Sequence, residues 1–250
     1  MDHVSWQRRC MRVGNINYLL LEVGFLIFMF KKNKPTQPPQ ALAEMAGARS
    51  HMYELMVGVF NQLPDEAFLK KIDTHEFENR FREFSGVAHI RDYRLWMEKN
   101  TAATIINELS VDRTRILRGT GPNDLKPPHE GCYAIDCDLG SAAIQLKCFY
   151  RTAGLMPDTT VCESPDYLCV QLDFMKNLCQ REQRLRSSRR DVTENVACQK
   201  AFLKEHLGSW VGDYCKQVQK HALTDFYRGF ALILNDFIKR DMEYLHHTIN

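Results

Sequence analysis

From Ala41 onward the apolar residues Leu42, Met45, Met52, Leu55, Met56, Val59, Phe60 and Leu63 recur largely at three- and four-residue spacing, which puts them on one face of a helix. Pro64 ends that helix. Pro64-Asp65-Glu66 opens another, with proline at an early helical position and acids near the positive helix end. Phe77, Phe81 and Phe84 continue the helical period, and Leu95, Trp96, Ile105, Ile106, Leu109, Ile116 and Leu117 predict two more helices, with Gly119 at a C-terminal cap. Residues 119–128 (GTGPNDLKPP) concentrate turn formers and predict a loop.

Beyond that loop, residues 138–153 predict a helix stopped by Gly154. Ser164-Pro165-Asp166 then reads as N-cap, first helical residue and dipole-complementing acid of a long helix through Leu185, with Leu168, Leu172, Met175 and Leu178 as its buried stripe. Residues 184–191 (RLRSSRRD) predict a polar, basic connector. A helix over 201–207 ends at Gly208, a second amphipathic face runs from Trp210 to Val218, and Phe226, Phe230, Ile233, Leu234, Phe237 and Ile238 mark a strongly apolar last helix. Strand alternation and repeats are missing from the pattern. The expected fold is all-α, a single globular bundle of about nine to eleven helices over residues 41–250.

The first 40 residues follow another pattern. Residues 18–30 (YLLLEVGFLIFMF) are apolar apart from Glu22, with Arg8, Arg9 and Arg12 before them and Lys31-Lys32 behind. Such a run is well short of the ~20 residues a bilayer span needs. Lysines and a Pro-rich stretch separate it from Ala41-Leu42-Ala43, a poor fit to a cleaved secretory signal. Gln7-Arg8-Arg9-Cys10-Met11 resembles a twin-arginine export signal but lacks the preceding Ser or Thr. Residues 1–40 are therefore expected outside the fold, with Met45 or Met52 as alternative starts; a membrane-surface anchor is the competing reading.

Composition narrows the function classes. Hydrophobic residues make up 44% and charged residues 26% of the chain, the balance of an ordinary globular domain. With 33 basic and 31 acidic side chains the formal net charge is +2, which offers no broad electrostatic footprint for nucleic acid. The nine cysteines are odd in number and form no Cys-x-x-Cys pair. Such spacing argues for reduced thiols in the cytoplasm rather than a disulfide framework or a zinc tetrahedron.

Known catalytic signatures are missing: there is no Gly-rich phosphate loop, His-Glu-x-x-His, Gly-x-Ser-x-Gly or Asp-rich calcium loop. His129, Glu130 and Cys132 are close in sequence, and they carry the alternative reading of a helical enzyme or metal protein. Glu205-His206 near Trp210 reads as a packing or hydrogen-bonding pair, and His246-His247 as a solvated tail.

Four elements in order carry a resemblance. Asp112, Ile116, Leu117 and Gly119 match an acid-x-x-x-Leu-Phe-x-Gly pattern; Pro127, Pro128 and Tyr133 match Pro-Pro-x-x-Ser-x-Tyr. Pro165, Asp166 and Leu172 match Pro-Asp-His-x-x-x-Glu-Leu, while Phe202, His206, Leu207 and Trp210 match Phe-x-x-x-His-Leu-x-x-Trp. The set resembles the TorD/DmsD family of redox-enzyme maturation chaperones. Gly131, Tyr167 and Gln171 stand where that family has Ser, His and Glu.

The resemblance implies a TorD-like helical bundle that is not an enzyme and needs no cofactor of its own. It implies binding to the twin-arginine leader peptide and apo catalytic subunit of a molybdenum oxidoreductase, with cofactor-biosynthesis proteins as further partners, as a monomer or a segment-exchanged dimer. An arginine-headed apolar peptide needs carboxylates that take guanidinium forks and an apolar groove. Asp112, Glu130 and Asp166 are the candidate acids. Ile116, Leu117, Gly119, Pro127, Pro128, His129, Tyr133, Pro165 and Tyr167 complete the expected site, a cleft between the 119–133 segment and the start of the helix after Ser164. Structural readings compete: Asp166 complements its helix N-terminus, and Asp112 pairs with Arg115 one turn along.

Overall fold

The first helix among the described residues, α1 (Pro39–Asn61), begins on a proline, whose missing N–H would have no helical partner in a first turn anyway. The computed structural model describes residues 39–72, 75–121, 124–133, 139–156 and 164–248. The expectation that residues 1–40 stand apart thus falls outside the described residues, except that Pro39 and Gln40 already belong to α1. α1 stops short of Leu63 and Pro64, since the residue before proline is driven from helical geometry.

Asp65 then caps α2 (Glu66–Ile72), its carboxylate accepting the Phe68 amide at 2.8 Å. In α3 (His75–Phe81), Phe77 and Phe81 stack with ring centroids 4.3 Å apart. The helical period expected to reach Phe84 breaks at Phe81, yet Phe84 is still buried, folded in by a turn whose amide bonds back to the Phe81 carbonyl. α4 (Val87–Met97) and α5 (Ala102–Arg118) follow, α5 capped by the Thr101 hydroxyl and ended at Gly119.

A single-turn α6 (Glu130–Tyr133), then α7 (Leu139–Thr152) ended near Gly154 at φ +68°, lead to the long α8 (Leu168–Ser187). Leu168, Leu172, Met175 and Leu178 are buried, as the stripe predicts. Two boundaries differ from expectation. Ser164-Pro165-Asp166 precedes α8 as a turn, and Tyr167 occupies the N-cap, because the Asp166 carboxylate faces the His129 ring and the Gly131 amide instead of its own helix. The basic connector begins later than 184, since the Arg186 guanidinium pairs with Glu182 one turn back at 2.7 Å and α8 extends to Ser187.

Gly208 also differs from its expected role as a stop. α9 (Thr193–Phe202), a π-helical turn (Leu203–Leu207) and α10 (Gly208–His221) form one continuous helical path. A Cβ at position 208 would lie 2.3 Å from the Leu203 carbonyl oxygen, so glycine here admits the widened turn while its backbone stays helical. α11 (Asp225–Thr248) closes the fold, its Phe226, Phe230, Ile233, Leu234 and Phe237 all fully buried. It packs on α4 and α10, while α1 lies along α8 as the most extensive helix pair. Among the described residues the only β-type pairing is an isolated bridge, and the fold is all-α as expected.

A buried charge ties these layers together. Arg49 on α1 is fully buried, yet it reaches Asp241 on α11, Glu182 on α8 at 2.9 Å and Gln199 on α9 at 2.5 Å. Tyr53 adds its hydroxyl to Asp241 at 2.6 Å. Burial by itself would push the guanidinium down; Asp241 and its neighbours outweigh it and raise Arg49 above its ordinary value. A buried charge of this kind persists only if every fork of the guanidinium meets an acceptor. Replacing Arg49 by Met should leave Glu182 and Asp241 without their cation and cost about 3–5 kcal/mol in urea unfolding, whereas replacing the surface residue Lys216 by Ala should barely move the midpoint.

Candidate functional site

Gly119 turns the chain out of α5 at φ +79°, where an added Cβ would meet the Leu125 carbonyl oxygen at 2.6 Å. Only glycine tolerates both constraints. The following loop is held from inside: Lys126 N donates to Gln217 Oε1 at 2.9 Å, and the Tyr133 hydroxyl donates to the Lys126 carbonyl at 2.7 Å. Pro128 is buried and Pro127 half-buried. This stiff segment runs antiparallel to the residues before α8. Glu130 N donates to Asp166 O at 3.0 Å and Leu168 N to Pro128 O at 2.9 Å, flanking the bridge between His129 and Tyr167.

The side chains lock this clasp. Asp166 is 1% exposed; its carboxylate pairs with His129 Nδ1 at 3.2 Å and accepts the Gly131 amide at 3.4 Å. Burial opposes its ionisation, but the hydrogen bonds from His129 and Ser164, the His129 charge and the Gly131 amide prevail, and the carboxyl lies below its ordinary range. Tyr167 sits against the His129 ring with centroids 5.3 Å apart. The Pro165 carbonyl accepts the Tyr150 hydroxyl from α7 at 2.9 Å.

Glu130 points the other way, into the core. Its Oε1 pairs with His206 Nδ1 at 3.0 Å and its Oε2 accepts Gln171 Nε2 at 2.7 Å, while Gln171 Oε1 accepts Trp210 Nε1 at 3.1 Å. Trp210 can only donate, which fixes the amide orientation: oxygen toward the indole, nitrogen toward the carboxylate. Glutamine rather than glutamate at 171 follows from this, because a second carboxylate beside Glu130 would have to stay protonated. Tyr133 stacks on Trp210, centroids 5.6 Å apart, and Phe149 meets the His206 ring edge-on at 5.3 Å. The π turn gives His206 its direction, since the extra residue rotates the register between α9 and α10.

The structure thus brings Pro128, His129, Glu130, Tyr133, Pro165, Asp166 and Tyr167 together. Ile116 is buried at the end of α5, its carbonyl accepting the Tyr214 hydroxyl at 3.3 Å, with half-buried Leu117 beside it. Asp112 lies elsewhere: fully buried, it accepts the Leu223 and Thr224 amides and the Thr224 hydroxyl, capping α11 and not pairing along α5 with Arg115. Gln171, His206 and Trp210 complete the network; the motif matches touch them, but an argument built on surface acids and a groove passes them over. Glu205 and His206 do not act as a pair, since His206 turns inward to Glu130 and Glu205 is exposed.

The alternative grouping of His129, Glu130 and Cys132 is divided by these contacts. His129 serves Asp166, Glu130 serves His206 and Gln171, and burial together with Asp166 pushes the Cys132 thiol up despite Lys126. A raised thiol is a poor nucleophile. Among the described residues no three of His, Cys, Asp and Glu are grouped to hold a metal ion.

The two segments expected to flank a cleft meet in this clasp. The 119–133 segment and the start of α8 touch each other directly, and a cavity of about 750 Å³ opens beyond them, behind His206. Phe149 and Cys148 of α7, Leu178 and Arg181 of α8, and Ala197, Cys198 and Ala201 of α9 form its walls. Glu194, Asn195 and Glu205 supply further polar groups.

The sequence is similar to those of known proteins. A family model described as nitrate reductase delta subunit matches residues 76–216, which include the clasp residues from Gly119 to Leu168 and the network of Glu130, Gln171, His206 and Trp210. The chain is 24% identical over 216 residues to the chaperone protein TorD of Shewanella pealeana, covering 81% of this chain and 91% of that protein. It is 27% identical to the TorD chaperone of Vibrio vulnificus over 42% of this chain and 49% of that one. A perchlorate reductase assembly chaperone protein of Dechloromonas aromatica is 24% identical over 49% of this chain and 54% of its own length. In these last two comparisons the chain spans about half of the relative. No solved structure matches.

Two outcomes test the site. A carboxyl held below its unfolded value stabilises the fold above about pH 3.9, and that contribution is lost as pH falls through the folded value. Asp166→Asn should therefore flatten the acid side of the stability profile measured by urea titration between pH 2 and 5. Gln171→Glu introduces a carboxyl with a raised folded value, so its stability should fall as pH rises from 5 to 8, while Gln171→Leu should cost about 2–4 kcal/mol with little pH dependence, through the donor and acceptor left unpaired.

Proposed function

We propose, from the premise that this chain belongs to the TorD/DmsD family of redox-enzyme maturation chaperones, that it binds the leader peptide of a molybdenum-cofactor oxidoreductase and withholds it from export until the cofactor is in place. One observation supports this reading more than any other. The cavity behind His206 pairs apolar walls with two solvent-facing carboxylates, Glu194 and Glu205, the combination an arginine-headed apolar peptide requires. Its volume lies in the range that small ligands and peptide side chains occupy.

In this reading the clasp acts as a frame. Glu130 and Asp166, expected from sequence as arginine partners, are 3% and 1% exposed with each oxygen already hydrogen-bonded, so they orient His206 and His129 in place of meeting the leader. His129, Tyr133 and Tyr167, together with Pro127, Pro128, Pro165, Leu117 and the Ile116 backbone, shape the rigid rim. Affinity comes from apolar burial, roughly 1.5–3 kcal/mol for each large side chain enclosed. Selectivity comes from the arginine contacts, and no chemical step is needed. One relative's name and the description of the family model mention reductases, which supports them as the class of client, and the chain would act on the cytoplasmic side before export. Among the described residues no helix is long and apolar enough to cross a membrane.

Calorimetry with the leader of a redox subunit encoded beside this gene checks the proposal. Binding should weaken roughly 10- to 100-fold when both arginines become alanine, the loss expected for a charge-assisted contact, and again when the apolar stretch is made polar. A leader that fails to bind, or whose affinity ignores both changes, would remove the mechanism.

A further inference from the structure

The order of charge and apolar surface expected of a client leader is present in this chain itself, where Arg8-Arg9 precedes the apolar run of residues 18–30. We propose that this N-terminal segment docks in the cavity between α7, α8 and α9 and competes there with the client leader. The competition rests on the function proposed above; the docking does not.

Three features of the cavity fit this occupant. First, Glu194 and Glu205 are exposed at the cavity and have no ion-pair or hydrogen-bond partner among the described residues. The cation there, Arg181, already donates to the Ala153 carbonyl at 3.2 Å. The balance favours an incoming guanidinium. Second, Asn195 lines the cavity at 5% exposure, and its Nδ2 has no hydrogen-bond partner. Its Oδ1 is held by Gln199 Nε2 at 2.8 Å, so the amide cannot flip without losing that bond; what it lacks is an acceptor, which a peptide carbonyl supplies. Third, Phe149, Leu178 and Ala201 offer apolar wall for a few side chains of the run.

The tether is long enough. Gly47 lies against Gln183, and Arg49 reaches Glu182 and Gln199, so the first half of α1 runs beside the same stretches of α8 and α9 that wall the cavity. Pro39 stands about 15 Å of helix before Arg49. The nine residues from Phe30 to Pro39 add up to about 30 Å when extended. Residues 18–30 can therefore return to the cavity of their own molecule.

Native thiols provide the test. Cys10 adjoins the arginine pair, while Cys148 and Cys198 line the cavity. The full-length chain is treated with a short bis-maleimide, and links are mapped by mass spectrometry on the monomeric fraction. Cys10 should link to Cys148 or Cys198 within one chain. Arg8→Glu with Arg9→Glu should lower the yield about tenfold, as should Glu194→Lys with Glu205→Lys, and combining all four should restore it. The docking is overturned by an absent Cys10 link in a chain whose Cys148 takes a monofunctional maleimide, by a link indifferent to charge reversal, or by links that join two chains. Added client leader should then reduce the intramolecular link in step with its binding. A leader that binds and leaves the link intact overturns the competition; one that does not bind, with the link present, sinks the leader-binding function and leaves the docking standing.

Discussion

The fold depends on one buried cation. Arg49 has no access to water, so its five N–H donors have to be met by the protein, and the acceptors that meet them come from α8, α9 and α11. Those helices are far apart in sequence, and the requirement fixes their register against α1. Apolar packing alone tolerates sliding by a turn, whereas a guanidinium fork does not. The same network reaches the cavity, because Gln199 meets Arg49 through its oxygen and Asn195 through its nitrogen. The position of the polar floor of the cavity is thereby set from the middle of the core.

A second polar chain performs the corresponding task for the clasp. Glu130, Gln171, His206 and Trp210 come from three separate helical stretches, and each hydrogen-bonding group along the chain meets a complementary one. A fully satisfied buried network specifies a single arrangement, since any shift strands a donor or acceptor in low dielectric. This explains why a loop rich in turn residues is held rigidly and why the π turn persists: without it His206 would face away from Glu130. The clasp carries its charged groups inward, with Glu130 and Asp166 almost fully buried.

The helices were legible in the amino-acid pattern because their apolar stripes are local, and Leu168, Leu172, Met175 and Leu178 lie buried where a 3.6-residue period puts them. Boundaries were less legible. Gly208 looks like a stop, yet it serves close approach to Leu203; Asp166 looks like a helix-dipole acid, yet its carboxylate meets His129 and Gly131, 35 to 37 positions earlier in the chain. For Asp166 a local rule meets a residue whose partners are remote, and for Gly208 it meets a widened turn that the apolar pattern does not announce. Asp112 shows the extreme case, with its carboxylate capping a helix that begins more than 100 residues later.

By itself the sequence determined the helical class, the main apolar faces, the loop between α5 and α6 and the motif order that places this chain among the maturation chaperones, because each of these is written in neighbouring residues. Tertiary structure alone decided which acids are free. Glu130, Asp166 and Asp112 are consumed by distant donors, while Glu194, which no motif marks, and Glu205, which the sequence pairs with His206, remain at the cavity. Whether a carboxylate is available depends on what the fold places against it, and that is settled only when remote helices pack.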